Sequence, residues 1–250
     1  MTPDPTAELT LQGRIMPASN ATFLGSVAGR KVVYKPVAGE RPLWDFPDGT
    51  LAGREVAAYV VSEALGWDLV PPTILRDGPH GPGMVQLWVD VDEDPDPVDI
   101  VPEGQVPAGY LHVLDALGPD DTPVSLVHED SADLRRMALF DVLVNNADRK
   151  GGHVLAVPGG ARQGVDHGVS FHVENKLRTV LWGWLDAALT AEERRAVAGL
   201  AEDRALAERL GELLAPTEVR ALHRRCAALL RAGVFPAPSG EWPAIPWPAF

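Results

Sequence analysis

The chain has 250 residues with 35 acidic and 22 basic side chains, a formal charge of −13. That length suits one large domain or two small lobes around a sizeable core, and 46% hydrophobic with 23% charged residues excludes a disordered polymer. The acidic balance argues against nucleic acid or an anionic membrane surface as partner, since both need a basic footprint.

The charge is unevenly placed. From Asp77 to Asp133 there are fourteen acidic residues and no Lys or Arg, so the remaining chain, with 21 acidic and 22 basic residues, is nearly neutral. Cys226 is the sole cysteine, which excludes an intrachain disulfide and makes a reducing, cytoplasmic compartment the expectation. The start, MTPDPTAELT, has no basic segment leading into an apolar one, as a signal peptide would. The most apolar run, Met137 to Val144, is interrupted by Asp141 and falls short of a membrane span.

In chain order, Glu8 to Met16 alternates as a strand and turns at Pro17-Ala18-Ser19-Asn20. Thr22–Val27 and Lys31–Lys35 read as an antiparallel pair joined across Ala28-Gly29-Arg30. Residues 36–50 read as a loop. Leu51–Leu65 has helical periodicity and a stop at Gly66, and Thr73–Arg76 and Met84–Val89 complete the strands. Asp90 to Pro97 reads as an exposed loop, held out by like charges and two prolines. Ser131 is placed to cap a helix running to Asn145-Asn146. A hairpin, His153–Val157 with Arg162–Val165, follows. Leu185–Arg231 is helical in two or three pieces, Pro216 opening the last, and 235–250 carries five prolines and two tryptophans in an extended tail. These readings divide the chain into a β-rich lobe (1–90), a helical lobe (91–234) and the tail.

Lys35 closes the apolar run Val32-Val33-Tyr34, and Glu55 lies twenty positions on, near a helix start. A strand lysine held by a helix carboxylate positions an ammonium on nucleotide phosphates in kinase-type sites; Glu63 is an alternative partner, and a strand-end lysine also simply snorkels to water. The polar loop Asn145-Asn-Ala-Asp148-Arg-Lys-Gly-Gly-His153 follows an apolar helix, and Asp166-His167-Gly168 follows the hairpin. Kinase signatures place a catalytic-loop Asp, a metal-binding Asn five residues on, and a later Asp-Phe-Gly whose Asp holds metal. Here the fifth residue after Asp148 is His153.

The run from Asp141 to Arg149, with Val165-Asp166-His167-Gly168, resembles the phosphatidylinositol 3-/4-kinase-like branch of the kinase fold. That branch includes type II phosphatidylinositol 4-kinases, HipA-type kinases and the secreted casein kinases of the Golgi. Tyr34-Lys35-Pro36 and Arg54-Glu55 agree with it, and Arg178 to Trp184 is similar to a segment of an actinobacterial subfamily. The resemblance implies an α+β, two-lobed protein-kinase-like fold, with one helix in a small β-rich lobe and a larger, mainly helical second lobe. It implies ATP, with Mg²⁺ or Mn²⁺, and an acceptor hydroxyl. By position, Lys35 would hold phosphates and Glu55 would fix Lys35. Ser19, Asn20, Ala21 and Thr22 would form a phosphate-covering turn through backbone N–H groups. Gln86, Leu87 and Trp88 would enter the hinge beside the adenine. Asp148 would handle the acceptor hydroxyl, and Asp166 with His153 the metal, imidazole suiting softer divalent ions than Mg²⁺. His167, in the variable position, is expected to support rather than ligate.

The remaining candidates are weaker. His112, His128, His172 and His223 have no zinc spacing. Ser131 and Ser170 lack a nucleophile-elbow context. Asp92, Glu93, Asp94 and Asp96 lack EF-hand spacing, and Trp182 and Trp184 read as packing residues. Two functions follow: a phosphotransferase on a protein or small molecule, nucleotidyl transfer remaining open, or a nucleotide-binding pseudokinase in which His153 has cost the chemistry. A lipid acceptor is disfavoured because no basic amphipathic segment is present. If the acidic window borders the cleft, it favours a basic acceptor.

Overall fold

The computed structural model describes residues 1–250 apart from 17, 19, 47–49 and 93–95. Five antiparallel strands form the first sheet: β1 (Leu9–Arg14), β2 (Phe23–Val27), β3 (Arg30–Pro36), β4 (Thr73–Gly78) and β5 (Gly81–Leu87), in the order β1-β2-β3-β5-β4. The β2–β3 hairpin turns on Ala28 and Gly29, both at positive φ (48° and 77°), the backbone twist that suits a two-residue hairpin. In β3 the alternation buries Val32, Tyr34 and Pro36. Lys35 therefore points to the opposite face, where α1 (Leu51–Leu65) lies.

The N-terminus of α1 is closed by a residue remote in sequence: the Glu40 carboxylate accepts from the Leu51 N–H (3.2 Å) and the Ala52 N–H (2.9 Å). That satisfies two of the helix's orphan donors and sets a negative charge at the positive end of its dipole. Gly66, at φ 66°, ends the helix as expected. α1 also belongs to the second lobe. A Cβ on Gly53 would stand 2.8 Å from the Leu213 carbonyl oxygen. The buried Arg54 donates to the Ser170 carbonyl and pairs with Glu218.

The acidic window is more structured than its charge suggests. From Val98 on it forms a three-stranded sheet, β6 (Val98–Pro102), β7 (Tyr110–Leu117) and β8 (Pro123–Glu129), with β8 central. Asp99 lies on β6, Asp115 on β7 and Glu129 at the end of β8, whereas Leu126, Val127 and His128 of β8 are buried. Sheet pairing overrides the local charge because exposed carboxylates on edge strands remain solvated. α2 (Ala132–Val144) follows, with the Ser131 hydroxyl accepting from the Leu134 N–H (3.3 Å) and Asn145 at φ 55° as its C-cap. The short hairpin β9 (Val154–Ala156) and β10 (Arg162–Gly164) and three helices, α3 (Ala191–Glu202), α4 (Arg204–Gly211) and α5 (Pro216–Ala232), complete the lobe. One continuous apolar core runs from Val56, Val60 and Met84 through Leu139 and Phe140 to Val197 and Leu222. A second, smaller cluster (Leu9, Val32, Tyr34, Val85) lies on the far face of the first sheet.

Candidate active site

Strand β3, helix α1, the loop after α2 and the segment after β10 meet at one cleft of about 520 Å³, within the range of small-molecule sites. Lys35, Glu55, Asp148, His153 and Asp166 all line it. The Lys35 ammonium donates to Glu55 (2.8 Å) and to Asp166. The other Glu55 oxygen accepts the backbone N–H of His167 (2.8 Å), so one carboxylate ties the lysine and the Asp166-His167-Gly168 segment to α1. Glu63 is elsewhere, paired with Arg209 (2.8 Å) and Tyr59 (3.1 Å); of the two possible partners for Lys35, the fold selects Glu55.

Beneath the cleft lies a buried ion pair. Arg149, without solvent exposure, donates to both oxygens of the equally buried Asp141. Its remaining N–H groups reach the carbonyls of His153 and Val165 (3.2 Å each) and Nε2 of His167 (2.7 Å). Gly164 is required for this: a Cβ there would lie 2.8 Å from Arg149 Nη1. The Asn146 amide joins in, donating to Asp141 (3.0 Å) while its oxygen accepts the Asp148 N–H (3.0 Å). Asp141 was visible in the sequence as the one charge inside the apolar run Met137–Val144, but its role as the anchor of this loop was not.

These contacts set the protonation states. Burial would depress the Lys35 ammonium, but Asp166 and Glu55 outweigh it and hold its pKa above the ordinary lysine value. Lys35 in turn holds the Asp166 carboxyl well below the usual carboxylate range. Burial raises Asp148, against the pull of Lys150, whose ammonium is 3.8 Å away. Burial lowers His153 to about 4 and, with Arg149 beside it, takes His167 far below its usual value. Both imidazoles are therefore neutral at pH 7. Nδ1 of His153 donates to the Asp148 carbonyl (2.9 Å), which leaves the Nε2 lone pair facing Asp166 Oδ2 at 3.4 Å. His167 turns away, its Nε2 accepting from Arg149.

Other expected binding residues divide. Asn20 and Thr22 line the cleft, and Ser19 lies outside the described residues. Ala21 does not face the cleft, and its N–H is committed to the Gly39 carbonyl (3.1 Å). Gln86, Leu87 and Trp88 are likewise absent from the wall. The Gln86 amide donates to Thr73 (2.9 Å), and the N–H groups of Leu87 and Trp88 go to the carbonyls of Pro72 and Lys31 (2.9 and 3.0 Å). Sheet pairing, invisible to spacing alone, uses these groups up. The cleft gains Arg41 and Lys150 as cations instead. Among the described residues, none of the 77–133 window lines it.

The loop supplying Arg41 and Leu43 is held down by the buried Lys176. Its ammonium pairs with Asp45 and stands over the rings of Trp44 (4.9 Å) and Trp242 (4.6 Å). The tail docks on its own chain: the Ala249 carbonyl accepts the Gly151 N–H (2.8 Å), and the Ala244 carbonyl accepts the Trp182 indole N–H (2.9 Å). Trp184 is a packing residue, as expected, buried against His128 with ring centroids 4.5 Å apart.

No family model matches the sequence. Protein Rv2133c of Mycobacterium tuberculosis is 56% identical over 97% of this chain and 92% of its own length. The chain belongs to the Rv2133c family. Among solved structures, the proinflammatory kinase CtkA of Helicobacter pylori superposes over 94% of this chain and 96% of its own with a TM-score of 0.50, at 11% identity. This likeness shows the fold: a kinase-like α+β architecture, with a sheet-containing N-terminal part and a helical C-terminal part.

Proposed function

We propose that the chain is an ATP-dependent phosphotransferase of the phosphatidylinositol 3-/4-kinase-like branch, acting in the cytoplasm on a hydroxyl of a protein or small molecule. One observation carries this reading: Lys35, Glu55, Asp148, His153 and Asp166, drawn from four elements, share one cleft in a kinase-like fold. In it, residues 1–90 form the nucleotide lobe, 91–234 the catalytic lobe and 235–250 a tail. No helix among the described residues is long and apolar enough to cross a membrane.

Lys35, fixed by Glu55, is placed for the nucleotide phosphates. Asp148, whose pKa burial raises, orients the acceptor hydroxyl or receives its proton. Asp166 and His153 fit a divalent ion: a carboxylate oxygen and an imidazole lone pair face each other at 3.4 Å with no hydrogen between them, a separation close to that spanned by two donors about 2.1 Å from one metal. Such an ion, when bound, neutralises phosphate charge. The nitrogen donor favours Mn²⁺ over Mg²⁺.

The test follows labelled ATP with Mg²⁺ or Mn²⁺ in wild type, Asp148→Ala and Asp166→Ala. Transfer or turnover that either substitution abolishes supports the enzyme. The second reading, a nucleotide-binding module without transfer, is favoured by His153 in place of the usual asparagine. It requires saturable nucleotide binding without turnover. Absence of nucleotide binding with any metal removes both readings.

A further inference from the structure

Lys176 takes no part in the proposed chemistry, yet its side chain is buried to 1% exposure. The ammonium pairs with Asp45 and stands 3.9 Å from Glu174. It also faces the rings of Trp44 (4.9 Å) and Trp242 (4.6 Å), whose centroids are 6.4 Å apart. Trp44 and Asp45 come from the loop that carries Arg41 and Leu43 into the cleft wall. Trp242 comes from the tail. Three stretches of chain remote in sequence thus meet on one cation.

Two of the three are fixed from behind. The Lys176 N–H donates to Oδ1 of Asn145 (2.9 Å), the C-cap of α2 and the first residue of the catalytic loop. The Ala244 carbonyl, two residues past Trp242, accepts from the Thr179 N–H (3.1 Å) and the Trp182 indole N–H (2.9 Å). The cleft loop, by contrast, buries little of its own, since Leu43 and Trp44 are both exposed. Its Arg41 N–H donates to Oδ1 of Asn20 (2.9 Å), which also lines the cleft. Among the described residues, the ion pair and ring contacts that tie 41–45 to the rest of this cluster all end on Lys176 or Trp242.

An ion pair open to water contributes little, whereas a desolvated ammonium holds a carboxylate and aromatic faces more strongly. The Trp242 indole is one of the walls that keep water from this one. We propose that Trp242 is a positioning residue for the active cleft: by keeping Lys176 dry, it holds the Arg41–Leu43 wall in place beside Asn20. What the cleft binds is taken from the phosphotransferase reading; the latch itself is a matter of geometry.

The test compares the full chain with Trp242→Leu, which removes the indole face, and Trp242→Phe, which keeps an aromatic one. Amide hydrogen exchange over 39–46 reads the latch, and calorimetric titration of ATP with Mn²⁺ reads the cleft. Trp242→Leu is expected to speed exchange in 39–46 and to weaken ATP, each about tenfold, the scale of one desolvated cation–π contact. Exchange in α2 is expected to change far less, which separates release of the loop from general unfolding. Trp242→Phe is expected to recover most of both effects. Unchanged exchange in 39–46, equal acceleration in α2, or a Trp242→Phe protein no better than Trp242→Leu overturns the proposal. If the wild type binds no nucleotide, the phosphotransferase reading falls and the positioning role falls with it. ATP affinity that Trp242→Leu leaves intact removes the positioning role alone.

Discussion

Arg149 and Arg225 are both buried guanidiniums fastening the end of α2, one beneath the cleft and one behind it. Arg149 meets a carboxylate, two carbonyls and an imidazole, leaving none of its hydrogen-bonding edges idle. Arg225 meets two carbonyls, and its third nitrogen meets nothing. The contrast separates two uses of a buried charge. Where the counter-charge is internal, the pair is a rigid support for neighbouring groups. Where it is missing, the charge rests on backbone carbonyls alone.

The largest effect is expected at the matched arginine. Arg149→Met leaves Asp141 buried and unpaired, at a cost of about 3–5 kcal/mol, read as a lowered urea midpoint. Replacing both partners together, Asp141→Leu with Arg149→Met, should recover much of that loss; a double variant no better than the single one would show that the pair is not what holds the loop.

His128 extends the comparison to a buried base with both nitrogens committed. Nδ1 donates to the Glu129 carbonyl (2.9 Å), and Nε2 accepts the Gly183 N–H (2.9 Å). Burial lowers its pKa below the ordinary 6.5, so the folded state binds fewer protons than the unfolded state as pH falls through that value. The stabilisation is complete above pH 6.5 and is lost as the pH drops. His128→Gln is expected to flatten that part of the pH–stability curve, and an unchanged slope would contradict the assignment.

A smaller effect is expected where the tail touches the cleft side. Gly151→Ala places a Cβ 2.2 Å from the Phe250 ring, so the ring must leave, costing about 1–2 kcal/mol. Protease sensitivity of the 235–250 segment should rise accordingly. The smallest change belongs to the unmatched arginine. Arg225→Met gives up two hydrogen bonds but also removes an uncompensated charge, so a net loss near 1 kcal/mol or less is expected. A loss as large as that of Arg149→Met would mean that the two sites do not differ in kind.

Much of this fold was legible along the chain because its signals are local. Ser131 before an apolar run and Gly66 after another mark helix ends through caps that reach only three or four residues. Pro158-Gly159-Gly160 marks its hairpin in the same way. Less was legible where acidic residues punctuate short strands: β6 and β7 owe their pairing to β8, and no pattern within either strand shows that partner. In the site, residue types and their order pointed to Lys35, Glu55, Asp148, His153 and Asp166. Arg41 and Lys150 enter the cleft only because loops far apart in sequence border it.

The sequence by itself determined the order of the elements outside 98–129, the single cysteine, the concentration of acidity between Asp77 and Asp133, and the set of groups able to hold phosphate and metal. Only the tertiary structure decided which of them are free to act. It chose Glu55 over Glu63 for Lys35, committed the N–H groups of Ala21, Leu87 and Trp88 to other carbonyls, and kept the described residues of the acidic window out of the cleft wall. The physical reason is one of range. Caps and periodicity act within a few residues, whereas Lys35 and Asp166 meet across 131 positions, and whether a buried charge finds a partner depends on every element packed around it.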